Sequence, residues 1–328
     1  MDLEIQEIRR LDASDFAPLL AAESRAWLDG LHWDYSPSSR LISNCLEEKR
    51  LMGHAVVGGG RPRAYCFYFA EDGKGLIADL FVEDMESNGP LAAELIARSV
   101  NTLIHDFGVS RIEAQLPHFP FEMLEPHFHS HAFDAYVRLF LAAPIAVPEH
   151  AAVSSSNAAA PSVIPEAPEG DFRFEPWSRK HELEGRDLLW RTYHRHVDAV
   201  LNDQYSSREG VARLLDNVAH SNGCGEFLPD ASQIVVHRSS GKLAGLLAIT
   251  RVRAGTAHIP QIAVGCEFQG VGVGTALLKA AFRKLSLSGY SEISLTVTAL
   301  NAGAVRLYER LGFRPLRAFG AFVWERRA

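Results

Sequence analysis

The chain has 328 residues, 47% of them hydrophobic and 22% charged, with a formal net charge of -7 and a pI near 6.1. That length suits about two domains of ordinary size, and the composition is that of a chain able to bury sizeable cores. The acidic balance excludes a general attraction to nucleic acid or anionic membrane, four cysteines with no C-x-x-C pair argue against a zinc site or disulfide frame, and no run approaches the roughly 18 apolar residues of a membrane helix.

The first ten residues carry no basic apolar leader, so a cytoplasmic setting is expected. Gly58-Gly59-Gly60-Arg61-Pro62-Arg63 reads as a hairpin connection rather than a phosphate loop. Leu80-Phe81-Val82 is an apolar strand-like run, with Leu95-Ile96 downstream on a helical stretch. His127, His129 and His131 alternate after Pro126, a spacing that gives no single ligand face on a helical turn, and no metal is expected. From Pro144 to Gly170 the chain turns rich in Ala, Pro and Ser, which predicts a linker over 146–170 between domains at 1–145 and 171–328.

Beyond the linker the pattern predicts a strand at 172–175, a long helix over 178–201 and a second over 207–220. Strands follow at 233–237, 243–253 and 257–264, then a glycine loop, a helix to 288, a strand at 291–298, a helix at 301–311 and two closing strands ending at Trp324. This mixture predicts an α/β fold, and the mixed sheet is what the family resemblance stated below implies.

The loop Gln269-Gly270-Val271-Gly272-Val273-Gly274 is entered from Ile262-Ala263-Val264 and followed by Thr275 and an apolar helix. Glycines let several N–H groups approach one ligand, and a helix start adds partial positive charge, so the stretch suits a pyrophosphate. No Gly-Lys-Ser/Thr follows, which argues against a nucleoside triphosphate loop. Gly-x-Gly-x-x-Gly with a later acidic residue is also missing, which argues against a dinucleotide fold. Downstream stand Asn301 and, seven residues on, Tyr308-Glu309-Arg310-Leu311-Gly312-Phe313. Together, Gln-x-x-Gly-x-Gly and Asn-(x)6-Tyr-Glu-x-x-Gly-Phe resemble the GCN5-related N-acetyltransferases, the GNAT superfamily.

The resemblance implies acetyl-CoA as co-substrate and a small-molecule or peptide amine as acceptor. Backbone groups of Ile262, Ala263 and Val264 would pair with the pantetheine arm, with the Val264 N–H at the oxyanion; Gln269, Gly270, Val271, Gly272, Val273, Gly274 and Thr275 would form the pyrophosphate seat. On its residues alone Tyr308 also fits a core position and Asn301 a helix cap; the resemblance implies general acid for Tyr308 and a cofactor or acceptor contact for Asn301. The base is less well matched. Relatives acetylating protein N-termini carry a Glu five residues before the Asn, where this chain has Thr296, and histone-acetylating relatives carry a Glu four residues before the strand triplet, where it has His258. Histidine titrates near neutrality, so His258 is the candidate base, and Gln261 a candidate to orient the acceptor. Tyr193, His194, His196, Asp198, Asp203, Tyr205 and Glu209 fall on the two helices that form the acceptor wall in the family, and equally suit a solvated face.

Sliding Leu80-Phe81-Val82 onto Ile262-Ala263-Val264 lays Leu95-Ile96 on Leu277-Leu278 without a gap. The first half is therefore read as a degenerate second copy, giving two tandem GNAT folds: Ser87, Asn88, Gly89, Pro90 and Ala92 stand in the loop's places, and proline has no N–H to offer. A mycothiol-synthase-like enzyme, and a non-catalytic acyl-CoA-binding scaffold, fit the same motifs. Oligomeric state is left open between monomer and homodimer.

Overall fold

A computed structural model describes residues 3–84, 89–146, 170–221 and 224–327. The chain forms two compact units, the first of Met1–Phe140, Val297–Ala302 and Pro315–Ala328, the second of Leu141–Thr296 and Gly303–Arg314. The expected division at 1–145 and 171–328 is thus crossed by two segments near the C-terminus, and most of the expected linker, 147–169, lies outside the described residues.

The first unit runs β1 (Glu4–Glu7), α1 (Ala17–Leu31), α2 (Ser36–Glu47), β2 (Met52–Gly58), β3 (Arg61–Glu71), β4 (Lys74–Val82), α3 (Gly89–Asn101), β5 (Arg111–Gln115), α4 (Phe121–Ser130) and β6 (Asp134–Pro144). Its sheet is ordered β1-β2-β3-β4-β5 and completed by the chain's last strand, β13 (Arg314–Glu325), which pairs antiparallel with β5 from Ala321↔Gln115 to Glu325↔Arg111. β4 and β5 are parallel and the other neighbours antiparallel. Strand β3 shows why its sequence is almost continuously apolar. Ala64, Cys66 and Tyr68 pack with α3 and α4 on one face, while Tyr65 and Phe67 pack with α1 and α2 on the other. The β2–β3 hairpin turns on Gly59 and Gly60 at φ 62° and 79°, the paired positive φ of a type I′ turn. The reading of that glycine run as a hairpin connection holds.

The second unit runs β7 (Phe172–Pro176), α5 (Glu182–Tyr193), α6 (Val197–Leu201), α7 (Arg208–His220), β8 (Glu226–Phe227), β9 (Gln233–His237), β10 (Leu243–Arg253), β11 (Thr256–Val264), α8 (Val273–Leu287), β12 (Glu292–Thr298) and α9 (Ala302–Arg310). Its strands are ordered β12-β11-β10-β9-β7, with β8 on β10. Two expectations are corrected. The long helix of 178–201 is broken after Tyr193, because His196 takes an extended conformation and its Nδ1 accepts the Asp198 N–H at 3.2 Å, capping α6 afresh. The two closing strands are one strand of 12 residues, β13.

The two halves repeat at a fixed spacing. β3 and β4 begin at Arg61 and Lys74, and β10 and β11 at Leu243 and Thr256, an offset of 182 residues in each case. Pairing repeats with it: β4 and β5 run parallel from Lys74↔Arg111 to Ile77↔Ala114, β11 and β12 from Thr256↔Glu292 to Ile259↔Leu295. A bulge follows at once in both copies, on β4 at Ala78 and on β11 at Pro260. Pro260 has no N–H to offer a neighbouring strand, which is compatible with a place where pairing ends in the first copy too, before Ala78. Each half repeats the same order of strands and helices, and the mixed α/β expectation stands.

Candidate active site

Past Pro260, β11 keeps β10 on one side, with Leu247↔Ile262, Leu246↔Ala263 and Gly245↔Val264 opposed. The Gly265 N–H donates to Ala244 O at 2.9 Å, so in an antiparallel ladder Ala263 also bonds toward β10, while the backbone groups of Ile262 and Val264 face away from it. Of the expected triplet, two residues therefore present main chain toward the opening. Ala263 does not, because adjacent residues of a strand point their N–H groups to opposite sides. Two side chains approach the outward carbonyls: Tyr193 Oη donates to Ile262 O at 2.7 Å, and Gln269 Nε2 to Val264 O at 3.1 Å. The Gln269 contact ties the loop back to the strand it leaves.

Gln269, Gly270, Val271 and Gly272 are exposed. Gly270 and Gly272 hold φ of 79° and 94°, a region that costs an L side chain about 1–2 kcal/mol. Gly272 caps α8, whose first intrahelical bond is Ala276 N to Gly272 O at 3.0 Å. The N–H groups of Val273, Gly274 and Thr275 precede that bond and have no partner in their own helix. A Cβ on Gly274 would sit 3.6 Å from both Leu307 and Val264 side chains, an ordinary contact distance, so neither space nor backbone angle demands a glycine there.

Tyr308 is 6% exposed on α9, packed edge-on to Phe313 at 5.7 Å. Burial first, and then the Asp198 carboxylate, push its phenol well above the ordinary tyrosine range. It stands protonated throughout the neutral range, as a donor must. His258 is the reverse. It is buried, its Nδ1 lies 2.9 Å from Ser294 Oγ, and burial pulls it down to about 3. An imidazole that weakly basic takes a proton from an ammonium poorly. Strand alternation and burial set this, and neither is visible in the residue type.

The expected acceptor wall is partly assembled. Tyr193 and Tyr205 stack at 4.6 Å, Tyr205 Oη meets Gln261 Nε2, and His196 Nδ1 lies 3.3 Å from Asp198 Oδ2. His194 instead stacks on Trp190 and bonds its carbonyl, and Glu209 lies in the first turn of α7. Asn301 precedes α9 and belongs with Val297–Ala302 to the first unit, its N–H donating to Thr298 O at 2.9 Å. Pro260 was not singled out from sequence, although a proline inside an apolar strand is a usable signal of interrupted pairing. A depression of about 680 Å³ beside α5 and the β9–β10 hairpin is rimmed by ion-paired Arg191, Arg208 and Asp187 and includes neither Tyr308 nor the glycine loop.

Residues 184–313 match the Acetyltransferase (GNAT) family. The [ribosomal protein bS18]-alanine N-acetyltransferase of Escherichia coli strain K12 is 42% identical over 74 residues, 23% of this chain and 49% of that one. The chain thus spans about half the length of this curated relative. Among solved structures, a GCN5-related N-acetyltransferase from Sphaerobacter thermophilus superposes with a TM-score of 0.70 at 16% identity, covering 99% of this chain and 96% of that one. A tandem GNAT protein from the clavulanic acid biosynthesis pathway gives 0.55 at 16% identity, covering 99% and 98%. At such identities the likeness is one of fold. No helix among the described residues is long and apolar enough to cross a membrane.

Proposed function

From a chain that carries a GNAT-family acetyltransferase domain over residues 184–313, we propose that the second unit moves an acetyl group from acetyl-CoA to a primary amine by direct attack. The observation that carries this reading is the opening of β11 beyond Pro260, followed directly by the glycine-capped start of α8. An extended pantetheine arm fits against the outward N–H groups of Ile262 and Val264, and the diphosphate against the N–H groups of residues 271–275. The amine nitrogen attacks the thioester carbonyl, the carbon–sulfur bond breaks, and Tyr308 gives its proton to the departing thiolate. The attacking amine must first lose its proton, and the depressed basicity of His258 favours water over His258 as the acceptor of that proton.

Asp198, close enough to Tyr308 to raise its phenol, supplies negative charge suited to an ammonium before attack. The name of the Escherichia coli relative, an alanine N-acetyltransferase, supports a peptide amine as one acceptor class. The test is thiol release from acetyl-CoA with a panel of small and peptide amines, beside Tyr308→Phe. Turnover lost in the variant, with acetyl-CoA still bound, is expected. Binding without turnover on any amine would make the protein an acyl-CoA-binding scaffold, and absence of binding would remove the reading altogether.

A further inference from the structure

The first unit carries Pro90 where the second has Gly272, and its own β4 bulge is surrounded by ionisable groups. Glu23 on α1, Asp79 just past the bulge and His118 just after β5 are 0%, 4% and 6% exposed. One ligating atom from each lies within 4.8 Å of the other two. Glu23 accepts from Trp27 Nε1 at 3.3 Å and from Tyr65 Oη. Asp79 accepts from Leu80 N–H at 2.8 Å and Tyr35 Oη at 2.7 Å. These donors reach each of the four carboxylate oxygens and leave each a second lone pair. None of them is a cation.

Two buried carboxylates side by side with no lysine or arginine among their partners in the described residues are costly as anions, since each unpaired buried charge costs several kcal/mol. His118 adds to the problem. It is enclosed by Trp27, Phe81 and Phe119, and neither ring nitrogen has a hydrogen-bond partner among the described residues, the Leu80 backbone being close without meeting hydrogen-bond geometry. Nearby Arg317 is engaged with the His118 carbonyl rather than with either acid.

We propose that the first unit binds one divalent transition-metal cation, Zn²⁺ or Mn²⁺, between Glu23, Asp79 and His118. A dication answers both difficulties at once: it neutralises the two carboxylates and takes the imidazole lone pair. Two oxygen donors and one imidazole with no thiolate suit such ions. Ligands about 2.1 Å from a common centre lie about 3–3.5 Å apart, so binding would draw together three atoms that here lie within 4.8 Å of one another. Asp79 stands 182 residues before Gln261, so the corresponding position of the second unit is uncharged and bonded to Tyr205. The site belongs to the first unit only. There it ties α1 and the segment after β5 to the bulge where β4 and β5 part. His127 and His129 lie on α4 and take no part in this cluster.

The experiment is elemental analysis of the full chain after desalting, with thermal unfolding before and after chelation by dipicolinate and after adding back Zn²⁺ or Mn²⁺. The expected result is about one equivalent of metal per chain, a lowered Tm on chelation, and recovery on adding back the ion. His118→Gln and Asp79→Asn should each weaken retention at least tenfold. The wild-type measurements decide the matter even where a variant fails to fold. Metal-free wild-type protein whose Tm is indifferent to chelator and to both added ions would overturn the proposal, leaving one proton shared by Glu23 and Asp79.

Discussion

Gly272→Pro probes the loop most directly. Gly272 sits at φ 94° and ψ -1° as the cap of α8, whereas proline is fixed near -65°, about 160° away. The loop must therefore reroute, and the Gly272 N–H is lost as well. No atom lies within 4 Å of a Cβ built there, so the damage is conformational and stays local to an exposed turn. If rerouting withdraws two charge-assisted bonds to the diphosphate, each worth about 1.5–3 kcal/mol, acetyl-CoA affinity falls by about 3–6 kcal/mol, or two to four decades in Kd. Gly272→Ala keeps the N–H and pays only the positive-φ penalty of about 1–2 kcal/mol, a loss of roughly five- to thirtyfold if that strain is relieved by moving the loop. Gly274→Ala is the control, since its Cβ meets Leu307 and Val264 at ordinary contact distance within the protein. Titration calorimetry with acetyl-CoA reads all three, with thermal unfolding to verify folding. Wild-type affinity in a folded Gly272→Pro protein would show that the diphosphate does not sit on this loop.

Tyr308→Phe should reduce kcat at least tenfold while leaving acetyl-CoA Kd within about threefold, because a proton donor is needed only as the thiolate leaves; equal rates would remove the acid role. His258→Gln should retain most of the activity and leave the pH–rate profile unshifted, and loss of the acidic limb would make His258 the base. The same variant bears on stability. The folded histidine is held near 3 against an ordinary 6.5, so the unfolded chain binds the extra proton between those values, and stability falls as pH drops through that window. Denaturant unfolding at pH 7 and 4 should therefore show a smaller loss in His258→Gln than in wild type. Asp198→Asn should raise KM for a cationic amine, leave acetyl-CoA affinity unchanged and lower the phenol of Tyr308; an unchanged KM across cationic and neutral amines would separate Asp198 from acceptor recognition.

Local chemistry settled much of this protein before folding is considered. The strands at 233–237 and 243–253, the glycine turn at Gly59-Gly60 and the loop before α8 follow from apolar runs and from glycines able to take positive φ, and the structure has them there. The duplication was also legible, since an offset of 182 residues aligns apolar positions whatever has happened to the chemistry. Other properties arise only from juxtaposition. Ala263 turns its backbone to β10 while its neighbours turn away, which depends on ladder register. His258 loses its basicity to burial that no residue type announces. β13 joins the sheet of the first unit although it ends the second half of the sequence, because hydrogen bonding between strands is indifferent to separation along the chain. Glu23, Asp79 and His118 stand 56 and 39 residues apart in sequence and converge at one bulge. Sequence fixes which groups are present and which backbone angles are cheap; only the packed fold decides which groups share a desolvated space, and desolvation is what gives them their chemistry.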